Sequence, residues 1–225
     1  ALSAAGSPLL IAEGIGRRFG QRVVLDSLQM EVQQGEFIAI VGRSGGGKST
    51  LLSIIGLHDP AYGGRLLIEG RDVNELGRSE LAALRRTVIG FVFQDFHLLP
   101  NLTAMENVML PAVFSGGDLE AASNQAREVL THLSLRMDDT PTALLSRGER
   151  QRVAVARGLV NRPRVLMADE PSASLDEESE NRLFDLLDDL REQQDFAMLA
   201  VVHSSSILRR ADRVLRLKDG KPHEA

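Results

Sequence analysis

The sequence predicts an α/β fold: a mostly parallel sheet with an antiparallel β edge and an inserted α-helical subdomain. Three features of the 225 residues lead there. Residues 165–168 and 196–202 are continuous apolar runs, the pattern of strands covered on both faces. Residues 36–41, apolar after Glu36, run through a glycine-rich turn straight into a helical pattern. Residues 94–156 hold no comparable apolar run and repeat apolar positions at helical spacing instead.

Taken in chain order, residues 1–8 lack the basic start and apolar core of a signal peptide. They also lack an initiator Met, which reads as a processed or trimmed end. The strand at 36–41 is followed by a helix at 49–55, and residues 66–70 read as a short strand ending in a turn. Residues 89–93 read as another strand. Beyond them, Leu119, Ala122, Ala126, Val129, Leu130 and Leu133 share one helical face. The runs at 165–168 and 196–202 flank a helix, Glu177 to Gln194, with Leu183, Leu186, Leu187 and Leu190 at helical spacing. Residues 213–217 alternate like an edge strand closing in a turn at Asp219-Gly220. The expected organisation is one domain, 1–225. Residues 1–93 and 157–225 make a phosphate-loop, RecA-like core, and 94–156 make the helical subdomain. No internal repeat or long linker interrupts it.

Composition narrows the function classes. With 43% hydrophobic and 25% charged residues the balance is that of an ordinary globular domain. A formal net charge of −5 argues against a nucleic-acid binder held by phosphate neutralisation. The absence of cysteine excludes disulfides and thiolate chemistry and fits a reducing compartment. No apolar stretch approaches the roughly 18–20 residues that span a bilayer, so a membrane role requires a separate membrane subunit and no direct lipid insertion.

Residues 42–50 carry the chemistry: Gly42, Arg43, Ser44, Gly45, Gly46, Gly47, Lys48, Ser49 and Thr50. They fit G-x-x-x-x-G-K-[ST] between a strand and a helix, the context a phosphate loop needs. Loop N–H groups and the helix N-terminus converge on phosphate oxygens. Lys48 adds a point charge at the β/γ-phosphates, and the Ser49 hydroxyl is placed to coordinate Mg²⁺. The chain is therefore expected to bind a nucleoside triphosphate. A second acidic site follows at the end of the run 165–168, where Asp169 and Glu170 are adjacent. Asp169 suits a hydrated Mg²⁺, and Glu170 suits a base that polarises attacking water. Strand alternation is expected to send the two carboxylates opposite ways.

Residues 145–157, Leu-Ser-Arg-Gly-Glu-Arg-Gln-Arg-Val-Ala-Val-Ala-Arg, resemble the signature segment of ATP-binding cassette (ABC) ATPases. The resemblance implies that Ser146 and Gly148 close over a γ-phosphate held by a second copy of the chain. It further implies that Gln94, after Gly90-Phe91-Val92-Phe93, is the Q-loop glutamine contacting Mg²⁺ and the attacking water. His203 matches the switch histidine at the γ-phosphate, and Phe19 sits where the family stacks an aromatic on adenine. Ser174-Leu175-Asp176 matches the D-loop. Three positions depart from the family pattern: Arg147 replaces a glycine, Val202-His203-Ser204 stands for Thr-His-Asp, and residues 172–176 differ from Thr-Gly-Asn-Leu-Asp. A negative φ at Arg147 would point its side chain away from the line between Ser146, Gly148 and the phosphate, leaving its guanidinium to reach the partner's surface or the phosphate itself.

Residues 81–111 look like the subgroup containing LolD, MacB and the YbbA type. That likeness implies ATP and Mg²⁺ as cofactors, an integral membrane permease as partner, and a place on the cytoplasmic face of the bacterial inner membrane. The expected function is ATP hydrolysis that drives lipoprotein release or MacB-like export. The alternative is an FtsE-like ATPase that regulates periplasmic or cell-wall enzymes through a membrane partner without transport. Phe96, Leu98 and Leu99 are candidates either for docking the permease or for packing the helical subdomain. No coiled coil or second cassette, as in the repair or translation branches of the family, is present in these residues.

Overall fold

The computed structural model describes residues 7–116, 118–173, 175–218 and 220–224. A hairpin of β1 (Leu10–Phe19) and β2 (Arg22–Val32) comes first, and β3 (Phe37–Gly42) leads into α1 (Lys48–Ile55). Next come β4 (Gly63–Ile68), β5 (Arg71–Asp72), α2 (Arg78–Thr87) and β6 (Ile89–Val92). Three helices follow: α3 (Ala104–Ser115), α4 (Leu119–His132) and α5 (Arg147–Leu159). The chain then runs through β7 (Val165–Asp169), α6 (Glu177–Gln194), β8 (Ala197–Val201), α7 (Ser205–Leu208), β9 (Arg213–Lys218) and β10 (Lys221–Glu224).

The strands form two sheets. The larger has the order β10-β9-β3-β8-β7-β6, and every pairing is parallel except β10 with β9. The smaller, β2-β1-β4-β5, is antiparallel. The apolar runs of β3, β7 and β8 follow from this layering. Ile38, Ile40, Val165, Met167, Leu199 and Val201 face one core, shared with α1 and the antiparallel sheet. Phe37, Ala39, Leu166, Ala168, Met198 and Ala200 face the other, shared with α3 to α6. A period of two thus feeds alternate residues into separate cores, and the polar Asp169 stands only at the last position of β7.

Side-chain caps set the helix starts. Thr103 and Glu106 form a reciprocal capping box at α3, and Asp176 caps α6 through Ser179 N–H at 2.8 Å. Asn107 on α3 is fully buried and satisfied: its Oδ1 accepts from Leu99 N–H at 2.8 Å and its amide donates to the Leu99, Leu102 and Thr103 carbonyls. It pins the loop after β6 to the helical layer.

Several expectations are corrected here. Residues 213–217 are not the sheet edge: β9 pairs with β3 on one side, and β10, returning after the turn, is the edge. Leu119 is exposed, whereas Ala126, Val129, Leu130 and Leu133 on the same helix are buried. It is the first residue of α4, at the exposed end of the helix. Helix α5 runs three residues past 156, to Leu159, and packs on β6. Phe96 and Leu98 pack inward against the second core, while Leu99 is exposed.

At Gly90, β6 and α5 meet backbone to backbone: a Cβ there would lie 2.3 Å from the Gly158 carbonyl oxygen and 2.9 Å from Pro163. Gly90→Ala is therefore expected to destabilise the fold by about 1–3 kcal/mol, read as a lower urea midpoint with an unchanged slope.

Candidate active site

Strand β3 delivers Gly42 to the carboxyl edge of the sheet, and the loop then folds back to start α1 at Lys48. Two glycines are fixed by close backbone approach. A Cβ at Gly42 would sit 2.5 Å from the Leu217 carbonyl of β9. Gly47, the N-cap of α1, has φ +96°, and a Cβ on it would sit 2.8 Å from the Val24 carbonyl of β2. Both sheets therefore press on the loop. Lys48 is only 6% exposed, and its ammonium donates to the Gly42 carbonyl at 3.0 Å and the Arg43 carbonyl at 3.1 Å. Gly46 N–H closes the loop on Arg43 O at 3.0 Å.

Ser44, Gly45, Gly47, Lys48, Ser49 and Thr50 line a cavity of about 430 Å³. Phe19 stands at this cavity 52% exposed, and Gln94 and Glu170 complete its lining. Gly42, Arg43 and Gly46 instead line a larger neighbouring cavity together with β9 residues.

Three strand ends converge beside the loop. Glu170 Oε2 accepts from Gln94 Nε2 at 3.1 Å, and Oε1 lies 3.0 Å from His203 Nε2. An ionised carboxylate only accepts, so in this arrangement the His203 proton sits on Nε2. The divergence of Asp169 and Glu170 has a different origin from the one expected. Strand β7 ends at Asp169, and Glu170 adopts φ +48°, so a left-handed residue and not the strand's alternation turns its carboxylate toward Gln94 and His203. Such a backbone costs a non-glycine residue roughly 1 kcal/mol or more, a cost offset here by two hydrogen-bonded partners.

Asp169 lies deeper. Burial pushes its carboxyl above the usual carboxylate range and the neighbouring Glu170 adds to this, while the Ser49 hydroxyl bond and the Lys48 charge oppose the rise. Its Oδ1 is buried without a partner. A hard divalent cation that keeps several waters or phosphate oxygens suits one carboxylate and one hydroxyl, so Asp169 and Ser49 fit Mg²⁺.

Other predicted residues lie outside the cavity lining. Ser146 caps α5: its Oγ accepts from Glu149 N–H at 3.2 Å, and its own N–H donates to Glu149 Oε2 at 2.8 Å. The Ser146 side chain first, and its backbone N–H second, hold the Glu149 carboxyl below its ordinary pKa. Arg147 opens α5, without positive φ, and its guanidinium stands 6.0 Å over the Phe96 ring of the same chain. Among the described residues, a Cβ at Gly148 would meet only Arg152 and Leu175 side chains, at 3.7 and 3.8 Å. The chain's own packing does not require glycine there. Asp176 serves as a helix cap, and Ser174 lies outside the described residues.

Nothing in the local sequence marks three further contacts. Arg22 of β2 donates to the Gly45 carbonyl at 2.9 Å. Arg17 pairs with Asp59 at 2.8 Å. Arg157 of α5 donates to the carbonyls of Phe96 and His97, whose φ values are +59° and +47°. All three join residues far apart in the chain, beyond the reach of a motif.

A family model described as ABC transporter matches residues 25–173. The lipoprotein-releasing system ATP-binding protein LolD of Bacteroides fragilis is 44% identical over 210 residues, covering 92% of this chain and 97% of that protein. The macrolide export ATP-binding/permease protein MacB of Brucella melitensis is 40% identical over 223 residues, covering 96% of this chain. The chain spans about a third of that MacB (34%). Among solved structures, the dimeric bacterial ABC transporter cassette MJ0796 superposes with a TM-score of 0.86 at 35% identity, over 96% of this chain and 97% of that one. The same cassette in a post-hydrolysis state with ADP and Pi gives the same values.

Because Asp169 prefers its proton in the folded chain, its ionised form opposes folding, and that penalty is absent below the unfolded pKa of about 3.9. Asp169→Asn is therefore expected to raise the melting temperature at pH 7, with the gain shrinking toward pH 4, while Mg²⁺-dependent ATPase activity falls to background. Calorimetry across that pH range, beside a phosphate-release assay, checks both halves.

Proposed function

The chain belongs to the ABC transporter family, and we propose that it is the ATP-hydrolysing subunit of a transporter whose membrane part is a separate permease. Two copies close around two ATP molecules, and hydrolysis reopens them. One observation carries this reading. Glu170, held by Gln94 and His203, faces the phosphate-loop cavity, while the signature turn of Ser146 and Gly148 does not line it. The cavity is half of a site, and the open space at Gly148 is where the partner's phosphate enters.

In that assembly the adenine stacks on Phe19. Lys48 exchanges its two carbonyl partners for β- and γ-phosphate oxygens, and the loop and α1 N–H groups take the remainder. Ser49 and Asp169 would hold Mg²⁺, which would supply neutralising charge to the phosphates. Glu170 accepts a proton from the attacking water as that oxygen bonds to the γ-phosphorus and the β–γ bridging bond breaks. Gln94 orients the water, and His203 exchanges its Nε2–H bond to Glu170 for one to the γ-phosphate. The partner's Ser146 hydroxyl and the partner's Gly148 N–H complete the γ-phosphate shell, with the Asp176 segment at the contact between copies. Loss of the γ-phosphate removes those contacts, so nucleotide biases a two-state opening.

Residues 94–159, to the end of α5, serve as the helical subdomain. Between it and the core runs a groove of about 480 Å³, with His58, Phe91, Phe93, His97 and Phe114 among its walls. This groove, and not the inward-packed Phe96 and Leu98, takes a cytoplasmic helix of the permease. No helix among the described residues is long and apolar enough to cross a membrane, which fits a peripheral subunit on the cytoplasmic face of the inner membrane. The names of the LolD and MacB relatives support lipoprotein release or MacB-like export. Neither relative favours the FtsE-like regulator.

Glu170→Gln, which keeps the shape but not the basicity, is expected to bind ATP and accumulate a dimer, resolved by size-exclusion chromatography with light scattering. A strictly monomeric profile, both alone and on the assembled complex, would reject closure. Gly148→Asp is expected to leave thermal stability within about 0.5 kcal/mol, since aspartate suits a helix N-terminus, yet to lower ATPase activity more than about tenfold, because charge and bulk meet the partner's γ-phosphate. A pull-down from detergent-solubilised membranes that recovers no membrane subunit would sink the transporter reading.

A further inference from the structure

The base-binding end of the cavity is built more elaborately than an exposed phenylalanine requires. Phe19 ends β1, two residues after Arg17, with a register shift between Arg17 and Arg18. The Arg17 guanidinium carbon lies 4.2 Å from the centre of the Phe19 ring, in stacking distance. That guanidinium is not free to drift. Its Nε donates to Asp59 Oδ2 at 2.8 Å, and both side chains of the pair are only 18% exposed.

Asp59 is fixed in its turn. Its N–H donates to Ser53 O on α1 at 3.0 Å, and its Oδ1 accepts from Ala61 N–H at 2.9 Å. The connection therefore runs from the phosphate loop through α1 to Asp59, then Arg17, then Phe19. On the other side of the hairpin, Arg22 is the register partner of Phe19 and donates to Gly45 of the loop at 2.9 Å.

We infer that Arg17 is a positioning residue for the nucleobase: locked by Asp59, it backs the Phe19 ring and makes a guanidinium–phenyl–purine stack of three layers. This rests on the reading of Phe19 as the adenine platform. Two physical effects follow. A cation on one face draws π-density away from the other, which favours an electron-rich purine there. A ring already held by its backing also loses less rotamer freedom when the base arrives. The asset is confined to the base, because Arg17 is absent from the cavity that holds the phosphates.

The test compares ADP with pyrophosphate by titration calorimetry, which needs no dimer, for Arg17→Met, Arg17→Lys, Phe19→Ala and the Arg17→Met/Phe19→Ala double variant. Arg17→Met is expected to weaken ADP about 3–5-fold, the range of an exposed cation–π contact, and to leave pyrophosphate unchanged. Arg17→Lys is expected to stay within about 2-fold of the parent. The double variant should bind ADP no worse than Phe19→Ala alone, and steady-state assays of Arg17→Met should show KM raised with kcat unchanged. Unchanged ADP binding by Arg17→Met, with loss in Phe19→Ala, would overturn the role of Arg17 and keep the platform. Unchanged binding by Phe19→Ala would overturn the platform and the backing with it. Equal loss of ADP and pyrophosphate in Arg17→Met would mark a general structural role and overturn the inference too.

Discussion

Glu170 holds Gln94 with one carboxylate oxygen and His203 with the other, and these three side chains meet only because β6, β7 and β8 run parallel and end at one edge. Each residue lies one or two positions beyond its strand. A reversed strand would carry its residue to the far side of the sheet. Parallel order in turn requires helical crossovers on both faces, so the two cores exist for the same reason that the three side chains converge. The left-handed backbone of Glu170 is the local adjustment that turns a shared edge into a shared contact.

The site also sets its charges unequally. The Lys48 ammonium is buried but satisfied by two loop carbonyls, so it contributes little desolvation penalty without ligand. The Asp169 carboxylate is buried with one oxygen unpaired and its proton affinity raised, so it carries a penalty that a cation relieves. The two extensive apolar cores supply the stability against which this unsatisfied group is tolerated.

Much of this is legible in the sequence alone. The runs at 165–168 and 196–202 identified doubly covered strands because burial on both faces leaves no alternation to misread. The loop from Gly42 to Thr50 was legible because phosphate binding demands fixed residue types at fixed spacing, and Gln94 and His203 came from a family pattern, not from local chemistry. The long hairpin of β1 and β2 was not seen. Its register shifts between Ala12 and Ile15 and twice more by Arg18, and each irregularity breaks the two-residue period that announces a strand. Strand β10 is only four residues long and takes its place from β9. The turn of Glu170 and the hold of Arg157 on Phe96 and His97 depend on backbone angles and partners 60 residues away, which no window of sequence contains.

The cap at Ser146 has a directional consequence. Its Oγ lone pair is engaged by the N–H of Glu149, and the Glu149 carboxylate is occupied in turn by the backbone of Ser146. The hydroxyl keeps its proton and a second lone pair, and it stands where the first N–H groups of α5 concentrate the positive end of the helix. The residue that stabilises the helix start therefore stands in a field that favours negative charge, so one local structure both begins α5 and biases what can approach it.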